Sequence, residues 1–519
     1  MTVRSWGRPV LCLMAGISVG LGFAPTDLWW LVVPGIAVFL VVVKETRPKI
    51  GLVYGYLFGF ALAMTAFRWT SVLGLPVLAV FAAWLAIWYA LVGLVVAASR
   101  NTAMWGFLGV ATWMAGEWLG ARFPFGGFGW GRLAYTTVGT PLDGFFPLIS
   151  ATGVSLIIIS TAFLLAWAVS TLLKTAGVSR NLIVPSVCFG VALLVGLAGL
   201  LGRTYDPAPD SSEVTIGVVQ GNVPGMGISA IGSAYTMDHN HLSETILLAA
   251  KVNTGQVPAP DFIVWPENST ATDPFVYPRT AQIIDLAVDI IQTPILVGTI
   301  SHGPGIDERQ TTALWYDQSG EVAASYHKRN LVPFGEWVPF KSVLVKVVPI
   351  LEYVGAQSVP GTTVGVLNVE VANTPRAVGV LICFELAYDS TFDDVILGDQ
   401  TTTGAHVVVV QTSNAMFTGS TQMAQQDRIT RVRAMESRRE ILIATTNSLA
   451  GLVDTHGRVV YAAELRTSDS QVFTVPTRTQ VTPAVVYRTW LDLGAVLLPL
   501  LGAGIAFTIG RKKTGESHV

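Results

Sequence analysis

The sequence predicts a polytopic α-helical membrane domain of eight spans joined to an α/β domain, and three observations predict it. Mean hydropathy is +0.54. Charged residues make up only 13% of the chain, where soluble chains carry about 25%. Long apolar runs fill both ends of the chain, while the stretch between them alternates short Val- and Ile-rich segments with helical patterns, the texture of an α/β domain with covered sheets.

Runs of roughly 18 or more apolar residues read as membrane helices. Seven lie near 9–24, 27–43, 51–67, 72–98, 103–121, 144–172 and 181–202, and an eighth spans 490–510. The first is short and holds Gly16, Gly20 and Gly22. It resembles a signal peptide in length, but no small-residue cleavage site leads into soluble sequence and another run follows at once. Lys and Arg fix the expected orientation. With a cytoplasmic N-terminus, the inner segments hold Arg4, Arg8, Lys44, Arg47, Lys49, Arg100, Lys174, Arg180, Arg511, Lys512 and Lys513, against Arg68, Arg122 and Arg132 outside. Seven crossings then leave the soluble part beyond the cytoplasmic membrane, with both termini inside. The expected domains are 1–203, a membrane domain of seven helices; 204–489, an extracytoplasmic α/β domain; and 490–519, a final membrane helix with a basic tail.

A polar linker with two prolines, 203–213, opens the soluble part. The strand candidates are 214–220, 261–265, 294–300, 377–383, 406–411 and 441–446, with helices at 238–252, 279–292 and 421–439. The formal net charge of −2 offers no electrostatic footprint for nucleic acid. Of three cysteines, Cys12 and Cys188 sit in apolar runs, so no disulfide framework exists. His239 and His241 are close in sequence, but the histidines lack zinc-helix spacing, and no metal or cofactor is expected.

Three segments of the soluble part place a reactive residue at the end of a predicted strand, where α/β enzymes build sites. In WPEN, Glu267 follows Trp265 and a turn-fixing proline. In YHKRNLVPFGEWVPF, Lys328 closes a strand, and Glu336 lies among Phe334, Trp337 and Phe340, a setting that desolvates and shifts titratable groups. In GVLICFELAYDS, Cys383 ends an apolar strand ahead of Phe384, Glu385 and Tyr388. A thiol at such a junction is expected to feel a helix N-terminus that favours the thiolate, and the Phe384 N–H is a candidate oxyanion donor. Singly, each has a bland alternative: a loop carboxylate, an edge-strand lysine, a core cysteine. Together they close a chemistry. A thiol needs a base, which Glu267 can be, and a tetrahedral oxyanion needs a cation, which Lys328 can supply.

These three motifs, in this order, resemble the nitrilase superfamily, whose members carry a Glu–Lys–Cys triad on an α-β-β-α sandwich. Seven spans before such a domain and one after resemble its membrane-embedded branch, the apolipoprotein N-acyltransferase family. Similar stretches are VQGNVP at 219–224, SNAMF at 413–417, RAME at 433–436, TTNS at 445–448 and the loop FPFGGFGWGRLAY at 123–135. The resemblance implies Glu267 as general base, Lys328 as oxyanion stabiliser and Cys383 as nucleophile. It implies support from Glu336, Glu385, Phe384 and Asn414, and a structural Arg433–Glu436 pair. Trp265, Phe334, Trp337, Phe128, Trp130 and Tyr388 are candidates for substrate contact or the membrane interface. Two departures stand out: Phe384 replaces a frequent Tyr, and no Trp follows VQGNVP, where Met226 and Tyr235 lie instead in a Gly-rich stretch.

The implied activity moves an acyl chain from a membrane phospholipid, through a thioester on Cys383, to the α-amino group of a lipoprotein's diacylglyceryl-cysteine. The implied partners are that donor, that diacylated lipoprotein acceptor and membrane lipids, with a monomer acting in the bacterial cytoplasmic membrane. Two other readings stay open on the residues alone. One is a membrane-tethered amidase that uses water. The other is a transporter or receptor, against which the spans are poor in charge, Glu117 being the clearest exception.

Overall fold

The computed structural model of the protein describes residues 4–174, 183–223, 225 and 234–515. The chain divides into two compact units. One comprises 1–205, 424–428 and 486–519, and the other 206–423 and 429–485.

The first unit is helical: α1 Arg4–Gly20, α2 Val32–Lys44, α3 Pro48–Ala66, α4 Leu75–Ser99, α5 Trp105–Gly120, α6 Phe146–Lys174, α7 Ile183–Gly202, and a last helix at Arg488–Gly515. Every predicted apolar run forms a helix. Four among the described residues are long and apolar enough to cross a membrane: Pro48–Ala66, Leu75–Ser99, Pro141–Leu172 and Arg488–Thr508. Three other apolar helices, Gly7–Gly20, Trp29–Lys44 and Ser186–Gly202, are shorter. Four of the eight expected spans thus meet that length and composition among the described residues. The run near 27–43 begins with a separate 3-10 turn, Trp29–Leu31. Small residues let α3 and α4 pack closely, since a Cβ on Gly55 would overlap the Tyr89 carbonyl and one on Gly93 the Gly51 carbonyl. The unit's buried polar groups pair among themselves. Ser155 Oγ donates to Glu117 Oε1 at 2.6 Å, Thr152 Oγ1 to Asp492 Oδ1 at 2.6 Å, and Arg122 Nη2 to Asp492 Oδ2 at 2.9 Å.

The second unit holds two sheets. The first carries β1 Glu213–Gln220, β2 Phe262–Val264, β3 Ile295–His302, β4 Glu308–Tyr316, β5 Val322–His327 and β6 Gln357–Ser358; the second carries β7 Val366–Val371, β8 Thr374–Ile382, β9 Val407–Thr412, β10 Ile441–Thr445, β11 Gly451–Val453 and β12 Val459–Ala462. A last strand, β13 Asp469–Pro476, returns to the first sheet. The orders are β13-β1-β2-β3-β4-β5, with β6 on β4, and β12-β11-β10-β9-β8-β7. Each sheet has a parallel centre, β1-β2-β3 in one and β8-β9-β10 in the other. Their inner faces share a core in which Ile216, Phe262, Trp315 and Tyr326 meet Val380, Ile382, Val409 and Leu442. Helices α8 Ala234–Asn253 and α9 Pro278–Ile291 cover the first sheet's outer face, where Leu242, Ile284 and Val288 pack on Val219, Ile263 and Val297. Further helices are α10 Lys341–Val347, α11 Asp389–Leu397 and α12 Gln422–Ser437. This is the α-β-β-α sandwich. The predicted strands align with β1, β2, β3, β8, β9 and β10, which are buried on both faces and read as unbroken apolar runs.

Candidate active site

The three predicted residues each leave the C-terminal end of a strand. Glu267 follows β2, Lys328 follows β5 and Cys383 follows β8. A turn fixes each departure. Asn268 (φ 53°) and Cys383 (φ 53°) adopt left-handed backbone that L residues avoid, a strain found where surrounding structure holds functional groups in place. At Gly298 in β3, a Cβ would overlap the Pro266 carbonyl and press on the Glu267 Cα, so only glycine lets the WPEN turn lie against the strand.

Lys328 is the hub. Its Nζ donates to Glu267 Oε1 at 3.0 Å and to Glu336 Oε1 at 3.0 Å, and its side chain is 1% exposed. Glu267 Oε2 accepts the Ser413 backbone N–H at 2.7 Å. Glu336 Oε2 accepts the Val332 N–H at 2.7 Å, and its Oε1 accepts the Thr311 hydroxyl at 3.2 Å. Burial alone would drive the ammonium down, but Glu267 and Glu336 outweigh it and hold Lys328 protonated well above the ordinary lysine value. Burial lifts Glu267 above the usual carboxylate range against the opposing charge of Lys328, and the charge of Glu336 adds to the rise.

Burial pushes the Cys383 thiol up to about 12; Glu267 adds to this, while Lys328 and a hydrogen bond with Thr412 oppose it. The expectation of a resting thiolate is corrected here. Only a short 3-10 turn, Cys383–Ala387, follows the sulfur, and desolvation with a neighbouring carboxylate outweighs any helix-end effect. The thiol rests protonated and needs a base to react.

Glu385 is fully buried and accepts four donors: the Tyr326 hydroxyl at 2.7 Å, the Arg329 N–H at 2.7 Å, the Asn330 N–H at 3.2 Å and the Ile382 N–H at 2.8 Å. It thereby ties the segment after Lys328 to the strand that presents Cys383. The Arg433–Glu436 pair forms at 2.7 Å, and Arg433 also reaches Asp389 at 2.8 Å. Asn414 donates from Nδ2 to Ser448 Oγ at 3.1 Å.

The aromatic candidates separate. Phe334 is 42% exposed and Trp337 is half-buried. Phe384 and Tyr388 meet edge to face at 5.3 Å between ring centroids. Trp265 is corrected as a surface or substrate candidate. It is fully buried, packs on His241 and donates to Thr245 Oγ1 at 3.0 Å. In the helical unit, Trp130 is likewise buried, stacked with half-buried Phe128 at 6.3 Å and packed on Trp69 at 5.4 Å. Met226 and the rest of 226–233 lie outside the described residues. Sequence reasoning missed Gly298, Ser413, Thr412, Thr311 and Tyr326. Of these, Ser413 acts through its backbone and carries no side-chain signal.

The arrangement can move a proton off a thiol, carry a negative tetrahedral centre beside a fixed cation, and hold an acyl group on sulfur. A family model described as carbon-nitrogen hydrolase matches residues 215–476. A second, described as apolipoprotein N-acyltransferase N-terminal domain, matches residues 15–164. Similar curated proteins include the apolipoprotein N-acyltransferase of Mycolicibacterium smegmatis, 28% identical over 516 residues and covering 94% of this chain and 83% of its own. That of Nitrosomonas europaea is 26% identical over 532 residues, covering 99% and 100%. Among solved structures, an amidase from Nesterenkonia sp. AN1 aligns at 16% identity and a TM-score of 0.37, covering 53% of this chain and 99% of its own.

Proposed function

The chain belongs to the carbon-nitrogen hydrolase family, and from that premise we propose that it transfers an acyl chain from a membrane phospholipid, through a thioester on Cys383, to the α-amino group of the N-terminal diacylglyceryl-cysteine of lipoproteins. One observation carries the chemistry: Lys328 is clamped between Glu267 and Glu336 at 3.0 Å each, with a half-buried thiol whose pKa both Glu267 and Lys328 perturb. The N-terminal domain match and relatives named apolipoprotein N-acyltransferase over nearly the full chain support the lipoprotein acceptor.

In the first half, Glu267 takes the Cys383 proton as sulfur attacks the ester carbonyl of the phospholipid. The oxyanion forms beside Lys328 and the Phe384 N–H. Collapse breaks the C–O bond, the leaving lysophospholipid oxygen takes the proton from Glu267, and the acyl chain stays on sulfur. In the second half, the amine attacks the thioester. A C–N bond forms, the C–S bond breaks, and the amine proton passes through Glu267 to sulfur. Glu336 holds Lys328 at 3.0 Å as a second carboxylate, and Glu385 positions the Cys383 strand end.

Eight spans with both termini cytoplasmic, a monomer, and the catalytic unit outside the cytoplasmic membrane complete the reading; the Lys and Arg distribution supports the orientation. The test is acyl transfer from labelled phospholipid to a synthetic diacylated peptide in vesicles. Wild type is expected to give labelled amide, and Cys383→Ser none. Free fatty acid as the main product would instead support a hydrolase, and full transfer by Cys383→Ser would overturn the mechanism.

A further inference from the structure

We infer that Asn268 and Asn414 form the subsite that receives the acceptor's primary amine, an inference that rests on the acyl-transfer reading above. Both flank Glu267. Asn268 is the next residue in the chain, turned by its left-handed backbone. Asn414 follows Ser413, whose N–H holds Glu267 Oε2 at 2.7 Å. Each side chain has a buried Oδ1 that meets no hydrogen-bond donor among the described residues. Asn414 is 4% exposed, and its orientation is set by the Nδ2 bond to Ser448 Oγ at 3.1 Å.

A buried acceptor without a donor is costly, and native proteins leave few of them. Two beside one catalytic carboxylate are explained if the missing donors arrive with the substrate. The ester broken in the loading step supplies none, since neither its carbonyl nor its leaving oxygen carries an N–H. The acceptor does. A primary ammonium presents three N–H donors, and Glu267, Asn268 Oδ1 and Asn414 Oδ1 are three acceptors. Transfer of one proton to Glu267 leaves a neutral amine held by the two amides, its lone pair free for the thioester carbon. The first proton passes from Glu267 to solvent; as the C–N bond forms and the C–S bond breaks, Glu267 takes the second proton from nitrogen and passes it to the Cys383 sulfur. The site thus selects a primary amine as the group that ends the reaction.

The experiment separates the two half-reactions. Full-length protein in lipid nanodiscs is loaded from phospholipid, then mixed with a diacylated peptide bearing a free N-terminal amine. Loading and discharge of the acyl adduct are followed by intact-protein mass. Asn268→Leu and Asn414→Leu are expected to slow discharge to the amine about tenfold or more beyond whatever loss they cause in loading. Asn268→Asp and Asn414→Asp keep an acceptor and are expected to recover most of that rate. Wild-type discharge by the Leu variants would show that water satisfies the amides, and would overturn the inference. Equal loss of loading and discharge that Asp does not restore would assign the pair a structural role, and would also overturn it. A wild type that never loads, or that discharges only to water, removes the acyl-transfer reading itself.

Discussion

Lys328→Met tests the clamp most sharply because it removes one charge and strands two. At an effective dielectric of about 20, each 3.0 Å pair is worth about 5 kcal/mol of attraction. Much of that offsets the several kcal/mol it costs to bury each ion. Deleting one partner of such a buried arrangement costs about 3–5 kcal/mol, or a fall in Tm of roughly 6–20 °C for a unit of this size. The loss depends on pH. With the Lys328 charge gone, the already raised Glu267 rises further above its unfolded value of about 4.3. A raised carboxylate destabilises the fold above its unfolded pKa, and that penalty fades as pH falls toward it. The Tm deficit of Lys328→Met is therefore largest near pH 8 and shrinks toward pH 5, read by intrinsic fluorescence during heating in detergent. A deficit that stays constant across that range, or a loss under about 1 kcal/mol, would refute the clamp.

Three further outcomes follow from the same geometry. Because the charge of Glu336 helps raise Glu267, the acid limb of the Cys383 acylation rate lies above the ordinary carboxylate value, and Glu336→Gln moves it to lower pH; a limb that moves upward contradicts this. Gly298→Ala pushes Pro266 and Glu267 from β3 and lowers acylation by about a hundredfold, the cost of roughly 1 Å of misplacement; normal acylation in a pre-steady-state assay would sink the packing argument. Glu385→Gln turns an N–H₂ toward a carboxylate site built around four donors and lowers stability by about 3 kcal/mol, read as Tm; an unchanged Tm would show that the four bonds do not hold the segment.

Much of the soluble unit is legible because its central strands are buried on both faces. VTIGVVQ and HVVVVQ are continuous apolar runs, and β9 is buried at every position. Strands β4 and β7 are not legible: β4 opens on the polar run ERQTT, and in β7 exposed and buried residues interleave; β5 is legible only as the strand that Lys328 closes. The positions of Glu267, Lys328 and Cys383 can be read because each stands at a strand end beside Pro or in a short motif. Their supports cannot. Ser413 contributes a backbone N–H, Gly298 contributes the absence of a side chain, and Tyr326 lies 59 residues from its partner Glu385. The state of the thiol was also out of reach, because the sequence shows that Cys383 begins a turn but not which charges stand around its sulfur. In the helical unit, hydropathy finds each helix but not its breaks: Ser150, at φ 58°, kinks α6 inside a continuous apolar run.

The central claim is that one sulfur, served by one buried base and one buried cation, carries the acyl chain between two lipids. Peptide-mapped mass spectrometry of protein quenched seconds after mixing with a phospholipid of defined chains tests it most directly. The account predicts one acyl adduct on the peptide containing Cys383, absent in Glu267→Gln and lost from wild type when the diacylated peptide is added. An adduct on any other residue, or transfer to the peptide while Cys383 stays unmodified throughout, would contradict it.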